Sequence, residues 1–162
     1  MRKNKGITML FMILFSLGTI SSLFAHCEIP CGIYDDHMRI HMLEEHIATM
    51  EKSINQINAL SDKNTAQDKN QLVRWIMNKE DHANQFQEIV WQYFLTQRIK
   101  PVDPANAAAY QEYLKKVELL HQLSFYAMKV KQNTDLQYTT KLKELLKQFE
   151  ELYFKDHKKD KK

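Results

Sequence analysis

Apolar residues recur with a helical period along most of the chain after residue 35. In the first such segment they are separated alternately by three and four residues, which places them on one face of an α-helix. They are Ile40, Leu43, Ile47, Met50, Ile54 and Ile57. Asp35 and Asp36 suit the start of this helix, because carboxylates cap free amides and face the positive end of the helix dipole. The polar residues 61–64 are predicted to end it.

A second, longer helix is predicted from about Thr65 to Ile99, a stretch without proline or glycine. Its apolar positions keep the helical period. They are Leu72, Val73, Ile76, Met77, Phe86, Ile89, Val90, Tyr93 and Phe94. The middle of this helix, residues 78–82, is polar on all sides and is suited to face water, a neighbouring subunit or a metal site. Pro101 ends the helix, because the residue before proline disfavours helical backbone angles.

Two further helices are predicted in the remaining sequence. Asp103 and Pro104 suit the N-cap and first position of a third helix that runs to about Lys131. Its apolar stripe is Tyr110, Leu114, Val117, Leu120 and Met128. Thr134 and Gln137 have the spacing of a capping box and open a fourth helix. The apolar side of that helix is Leu142, Leu145, Leu146, Phe149, Leu152 and Tyr153.

Four helices with short connections predict an all-α fold, an antiparallel four-helix bundle. The first stripe also suits a coiled-coil dimer, but the other stripes are too wide and aromatic for a bare coiled-coil seam. The chain holds only three glycines, two of which lie within the first 25 residues. A β fold with many tight turns needs more glycine than this, so composition also favours helices.

Residues 1–25 have the organisation of a cleaved export signal. Arg2, Lys3 and Lys5 precede an apolar run over residues 7–20, and Ala25 is the small residue that suits signal peptidase. Cleavage after Ala25 predicts a single domain, residues 26–162, that is exported to the periplasm or secreted and has no membrane attachment. An uncleaved anchor is the alternative, because the apolar run approaches the length that spans a bilayer.

The charge balance argues against a nucleic-acid partner. Of the 23 lysines and arginines, three lie in residues 1–25, which leaves 20 to balance the 20 acidic residues of the predicted domain. A nucleic-acid-binding domain would show a basic excess on one face. We therefore expect no nucleic acid among the partners of this protein.

The candidate chemistry lies directly after the predicted cleavage site, in residues 26–34, which we call the hook. The hook reads His-Cys-Glu-Ile-Pro-Cys-Gly-Ile-Tyr and holds both cysteines of the chain. After cleavage it would offer an α-amine, an imidazole, two thiolates and backbone amides, and Pro30 and Gly32 help such a segment to curl. A planar set of nitrogen and sulfur donors favours Ni(II) or Cu(II) over zinc, which prefers a tetrahedron. Anionic donors of this kind also stabilise a higher oxidation state, which would permit cycling between Ni(II) and Ni(III).

The pattern His26-Cys27-x-x-Pro30-Cys31-Gly32-x-Tyr34 resembles the nickel-binding motif of the nickel superoxide dismutases, small helical proteins whose mature chains begin with it. A weaker resemblance extends through residues 91–94 and 145–158. The resemblance implies conversion of superoxide to dioxygen and hydrogen peroxide with one nickel ion per subunit. It also implies a homohexamer of four-helix bundles.

The resemblance further implies roles for individual residues. The nickel ligands would be the amine and imidazole of His26, the thiolate and backbone amide of Cys27, and the thiolate of Cys31. Tyr34 would line the approach of superoxide and hold a hydrogen bond or an ordered water there, so His26 and Tyr34 would both serve catalysis. The sequence departs from the family at Glu28, where better-known members have aspartate. It also departs at His41, near a position where some members carry a carboxylate that orients the imidazole.

Two other functions are compatible with the same residues. An exported metal-binding or metal-delivery protein would use the hook without turnover. A helical adaptor would instead join Cys27 and Cys31 in a disulfide, which an oxidising compartment permits. The enzyme alone requires a free α-amine on His26, whereas the adaptor predicts that substitution of His26 changes nothing.

The other histidines and the aromatic residues invite simpler interpretations. His37 and His41 lie four apart on the first helix, with His46 following, and form a candidate second metal site, although exposed helix histidines are usually solvated. His82 and His121 have no partner that the sequence identifies. The aromatic residues are expected in the core or at a subunit interface. They are Trp75, Trp91, Tyr93, Phe94, Tyr110, Phe125, Tyr126, Phe149 and Phe154.

Overall fold

Four helices make up most of residues 35–157, the part of the chain that the structure, a computed structural model, describes. They are α1 (Asp36–Leu60), α2 (Ala66–Glu88) with a π-helical continuation (Ile89–Arg98), α3 (Ala107–Gln132) and α4 (Gln137–His157). No strand occurs within these residues. The predicted all-α class and the predicted number of helices are confirmed.

Short polar side chains cap the first two helices at the predicted places. The Asp35 carboxylate accepts from the backbone amide of His37 at 2.9 Å and from that of Met38 at 3.4 Å. The Thr65 hydroxyl accepts from the amide of Asp68 at 3.1 Å. Each cap satisfies amides that have no acceptor within their own helix, and so determines where the helix begins.

The third and fourth helices begin differently from the prediction. Asp103 does not cap α3; its carboxylate accepts from the amide of Ala105 at 2.9 Å and closes a separate turn. Asn106 is the N-cap instead, and α3 starts at Ala107. At α4 the acceptor is Asp135, which takes the amide of Gln137 at 2.8 Å, rather than Thr134. Two neighbouring side chains could cap in each loop, and the sequence pattern does not rank them.

Contacts between helices run in opposite directions along each neighbouring pair. On α1 and α2, His46 meets His82 and Ser53 meets Asn78. On α2 and α3, Lys79 reaches Lys131 and Gln87 reaches Ser124. On α1 and α4, Asp36 meets Tyr153 and Glu51 meets Lys143. The bundle is therefore antiparallel, as predicted, and the start of α1 lies beside the ends of α2 and α4.

The core lies between these helices and includes all six residues of the α1 stripe. The large, fully buried side chains include Leu43, Met50, Phe86, Phe94, Leu120, Leu123, Leu142 and Phe149. The predicted stripe of α3 was right in part: Leu120 is buried and Val117 packs against the core, but Leu114 is exposed and the other buried residues are Leu119, Leu123, Ala127 and Val130. α3 faces the core mainly along its second half. No helix among the described residues is long and apolar enough to cross a membrane.

Candidate functional site

The residues predicted to bind metal and to act in catalysis, His26, Cys27, Cys31 and Tyr34, lie outside the described residues. Their roles therefore stay predictions. The described chain begins at Asp35, one residue after Tyr34, and the first turn of α1 follows immediately. The side chains around that turn are the part of the structure closest to the hook along the sequence.

Asp36, the first residue of α1, lies at the centre of a cluster of four polar side chains. Tyr93 donates to Asp36 Oδ1, and Arg98 Nε donates to the same oxygen at 2.9 Å. Tyr153 donates to Asp36 Oδ2 at 2.8 Å, and Arg98 Nη2 donates to the Tyr93 hydroxyl at 2.8 Å. We call these four residues the Asp36 cluster. It joins α1 to the C-terminal parts of α2 and α4.

The π-helical segment of α2 brings two members of this cluster together. Its backbone bonds span five residues, as between the Ile99 amide and the Phe94 carbonyl at 2.9 Å. In an α-helix, residues five apart would lie roughly 140° around the axis from each other. The wider π turn brings such residues over one another, and Arg98 therefore reaches the hydroxyl of Tyr93. The sequence analysis predicted one continuous α-helix here and missed this change of geometry.

Aromatic and cationic groups surround the cluster. The guanidinium carbons of Arg39 and Arg98 lie 5.1 Å and 4.7 Å from the centre of the Tyr93 ring, a favourable arrangement of cations and an aromatic ring. Phe94 meets the rings of Phe149 and Tyr153 edge to face, with centres 5.1 Å and 5.5 Å apart. These contacts hold both phenols in place against the core.

The cluster favours an ionised carboxylate. Burial alone would raise the pKa of Asp36, but the hydrogen bonds from Tyr93 and Tyr153 and the charge of Arg98 outweigh burial and lower the pKa below the ordinary value. Burial and the hydrogen bond to the same carboxylate raise the pKa of Tyr153 far above that of a free phenol. Asp36 is thus a charged acceptor whose donors stay protonated at neutral pH.

The histidines at the start of α1 have partners other than a metal. His37 stacks on Phe154, with ring centres 3.8 Å apart, and His41 Nδ1 lies 3.0 Å from Glu44 Oε2. Residues 35–157 contain no group of three or more histidine, cysteine or acidic side chains placed to hold a metal ion. Nothing in this range therefore supports the candidate second metal site.

His82 has a partner that the sequence did not identify. Its Nδ1 lies 2.8 Å from Nδ1 of His46, which requires one ring to donate and the other to accept. His46 is only 7% exposed. Its burial and the nearby His82 lower the pKa of His46, against a smaller opposing effect of Glu45. The pair is 36 residues apart in sequence and meets only because α1 and α2 are antiparallel.

The polar middle of α2 makes contacts inside the bundle. Lys79 is 4% exposed, and its ammonium donates to the carbonyls of Val130, Lys131 and Asn133 at 2.9, 2.6 and 3.2 Å. Asn78 donates to the Ser53 hydroxyl at 3.0 Å. Asn78 contacts α1 and Lys79 contacts the end of α3, so Lys79 does not face water as one of the predicted alternatives had it.

Apolar side chains nevertheless lie on the outer side of the same helix. Val73, Ile76, Met77 and Trp91 are between 40% and 59% exposed. Val73, Ile76 and Met77 lie within about one helical turn of one another, and Trp91 lies further along, in the π-helical continuation. We call these four residues the outer stripe of α2.

The model of a family described as nickel-containing superoxide dismutase matches residues 21–158. The matched range takes in the whole hook and all four helices. No curated protein and no solved structure matches the chain.

Proposed function

We propose that this chain, which belongs to the nickel-containing superoxide dismutase family, holds its nickel ion in the hook through His26, Cys27 and Cys31. The protein is a nickel-dependent superoxide dismutase, an oxidoreductase that converts superoxide to dioxygen and hydrogen peroxide. The family match over residues 21–158 carries this conclusion. No observation favours an exported metal-delivery protein without turnover.

The donor atoms of the hook suit this metal. Two thiolates, an imidazole and an amine form a nitrogen and sulfur set of the kind that binds nickel, and Cys27 and Cys31 must lose their protons to take part. Bound nickel supplies a one-electron couple between Ni(II) and Ni(III). Formation of peroxide consumes two protons for each pair of superoxide ions, and Tyr34 is the residue we assign to hold a water or a proton at the opening of the site.

The ligand set depends on a processed N-terminus. Only cleavage after Ala25 makes the α-amine of His26 available, so we propose that residues 1–25 direct export and are then removed. The basic start, the apolar run and the small residue at position 25 support this proposal. The mature protein would be periplasmic or secreted.

The first experiment determines the N-terminus and the metal content of the same protein. We expect intact mass and N-terminal sequencing of the exported protein to place His26 first, with one nickel per subunit by elemental analysis and with superoxide dismutase activity. Cys27→Ser and Cys31→Ser should each remove nickel and activity, whereas the exposed His121→Gln should leave both unchanged. Full nickel content in both cysteine variants would overturn the assignment of the hook.

We also propose that the protein assembles as a homo-oligomer, a hexamer by family resemblance. The outer stripe of α2 supports an interface, because exposed apolar side chains gathered on one face mark contact surfaces. Light scattering after size exclusion should give a mass well above one subunit. Met77→Glu should reduce that mass, and Leu114→Glu, an equal change at an exposed site on α3, should not. A monomeric unsubstituted protein would refute the proposal.

A further inference from the structure

Asp36, at the centre of the Asp36 cluster, follows closely after the hook along the sequence. Asp36 follows Cys31 by five residues and Tyr34 by two. Its carboxylate accepts from Tyr93, Arg98 and Tyr153, which belong to two other helices. The start of α1 is therefore fixed by contacts from across the bundle as well as by its own cap.

The two neighbouring carboxylates differ in what they hold. Asp35 accepts from the amides of His37 and Met38, both in the first turn of α1. Those bonds stabilise α1 itself but do not fix its position relative to the other helices. Asp36 instead fixes the first turn of α1 relative to α2 and α4, and its two charged groups are well covered, with Asp36 21% and Arg98 19% exposed.

A metal site built on a short, mostly polar segment needs a rigid base. The ligands must be held within a fraction of an ångström of their productive positions, and a supporting shell of hydrogen bonds usually provides this precision. A hook whose attachment point moved would lose conformational entropy on each metal binding event, and this loss would weaken its affinity. The contacts of Asp36 remove that freedom at the attachment point before metal arrives.

We propose that Asp36 is a positioning residue for the nickel site: held by Tyr93, Arg98 and Tyr153, it fixes the base from which the hook extends. This inference rests on the proposed role of the hook. It assigns Asp36 no contact with nickel or superoxide. The π-helical turn is part of the arrangement, because it brings Arg98 to Tyr93 and to the carboxylate.

The test substitutes Asp36→Asn. Asparagine keeps the size of the side chain, but it presents an amide NH₂ where Tyr93, Arg98 and Tyr153 all donate, so at least one donor loses its acceptor. Tyr153→Phe removes one of the donors and keeps the buried ring. The matched control is Asp35→Asn, which is nearer to the hook in the sequence and keeps a good N-cap residue. Glu51→Gln, which breaks an ion pair between α1 and α4 elsewhere, is a second control.

Three quantities are measured on each variant in the form in which the protein is exported. They are the apparent nickel dissociation constant by competition with a chelator, the electron paramagnetic resonance spectrum of Ni(III) in the oxidised protein, and the helical content by circular dichroism. We expect Asp36→Asn to weaken nickel binding by about 10- to 100-fold and to change the spectrum. Tyr153→Phe should do so less, and both controls should bind like the unsubstituted protein.

A variant destabilised elsewhere separates positioning from folding. Lys79→Met removes a buried ammonium that lies on a different part of α2. If it weakens nickel binding as much as Asp36→Asn does, the effect is one of general stability and the inference is overturned. Unchanged affinity and spectrum in Asp36→Asn would also overturn it.

The same measurements distinguish the failure of this inference from failure of the proposed function. Unsubstituted protein and Cys27→Ser that bind nickel equally would refute the hook as the metal site. Loss of nickel in Cys27→Ser, together with normal binding in Asp36→Asn, would refute the positioning role alone.

Discussion

Two charged groups inside the bundle, the Asp36 carboxylate and the Lys79 ammonium, are stabilised in different ways. Asp36 is surrounded by side chains, one of them the opposite charge of Arg98. Lys79 donates to three backbone carbonyls at the end of α3, where the helix dipole is negative. A buried ion needs such partners because the interior solvates it poorly. The arrangement around Asp36 lies at the first turn of α1, and the arrangement around Lys79 joins α2 to α3.

These two sets of contacts allow effects on nickel binding to be distinguished from effects on stability. The hydrogen-bond acceptors at the end of α3 that Lys79 reaches are main-chain atoms, and Glu80 adds a longer ion pair at 3.7 Å, so the lysine itself must be substituted to remove those hydrogen bonds. The partners of Asp36 are side chains, so the cluster can be taken apart one residue at a time. We expect each substitution in the Asp36 cluster to weaken nickel binding, whereas the loss of Lys79 is expected to affect folding alone.

The largest expected effect on stability comes from Lys79→Met. The substitution removes the ammonium donor from one buried and two partly buried carbonyls, and we expect a loss of about 2–3 kcal/mol in the free energy of unfolding. Chemical denaturation followed by circular dichroism measures it. Lys115→Met, at an exposed lysine paired with Glu118 on α3, is the control and should cost less than about 0.5 kcal/mol. If Lys79→Met lost as little stability as Lys115→Met, water would be shown to replace the ammonium as the donor.

Asp36→Asn should cost less at neutral pH, about 2 kcal/mol, because part of the hydrogen bonding survives. The lowered pKa of Asp36 gives this effect a direction with pH. Its stabilisation is fully present above the ordinary value of 3.8 and is lost as the pH falls through the lower folded value. Unfolding curves of the two proteins should therefore converge below about pH 4. Parallel curves down to acid pH would contradict the assignment of the charge.

The His46–His82 pair is expected to have a smaller effect on stability, and this stabilisation too is lost as the pH falls. Because burial lowers the pKa of His46, the folded protein disfavours the charged ring. The stabilisation is present above the ordinary value of 6.5 and is lost as the pH falls through the lower folded value. His46→Gln should reduce this loss between pH 7 and pH 5, as measured by thermal unfolding. An unchanged slope would exclude His46 as its source.

The smallest expected effect is the coupling between the two charged groups. Asp36 and Lys79 share no partner in the contacts described above, so the double variant should lose the sum of the two single losses within about 0.5 kcal/mol. Denaturation of the four proteins under identical conditions completes this cycle. A larger coupling would mean that the Asp36 cluster and the Lys79 contacts belong to one cooperative unit.

Much of the helical architecture follows from local sequence patterns. The α1 stripe predicts its buried residues well, because a strict helical period leaves only one face for the core. The cap at Asp35 was predicted because a short polar side chain directly before an apolar period has few other roles, whereas for Thr65 only the approximate start of the helix was predicted. The start of α3 was wrong because Asp103 and Asn106 can both cap, and only packing selects between them.

The candidate metal site can be recognised in the sequence because its predicted donors are neighbours: His26, Cys27 and Cys31 lie within six residues, and the family match covers them. The Asp36 cluster cannot be recognised in this way, since Tyr93, Arg98 and Tyr153 are 57, 62 and 117 residues from Asp36 in the sequence. Sequence alone thus determined the helices, the family and the candidate metal ligands, all of which depend on local order. Tertiary structure decided which charges are buried, which histidines pair and where α2 becomes a π-helix, because those features depend on side chains that only the antiparallel packing brings together.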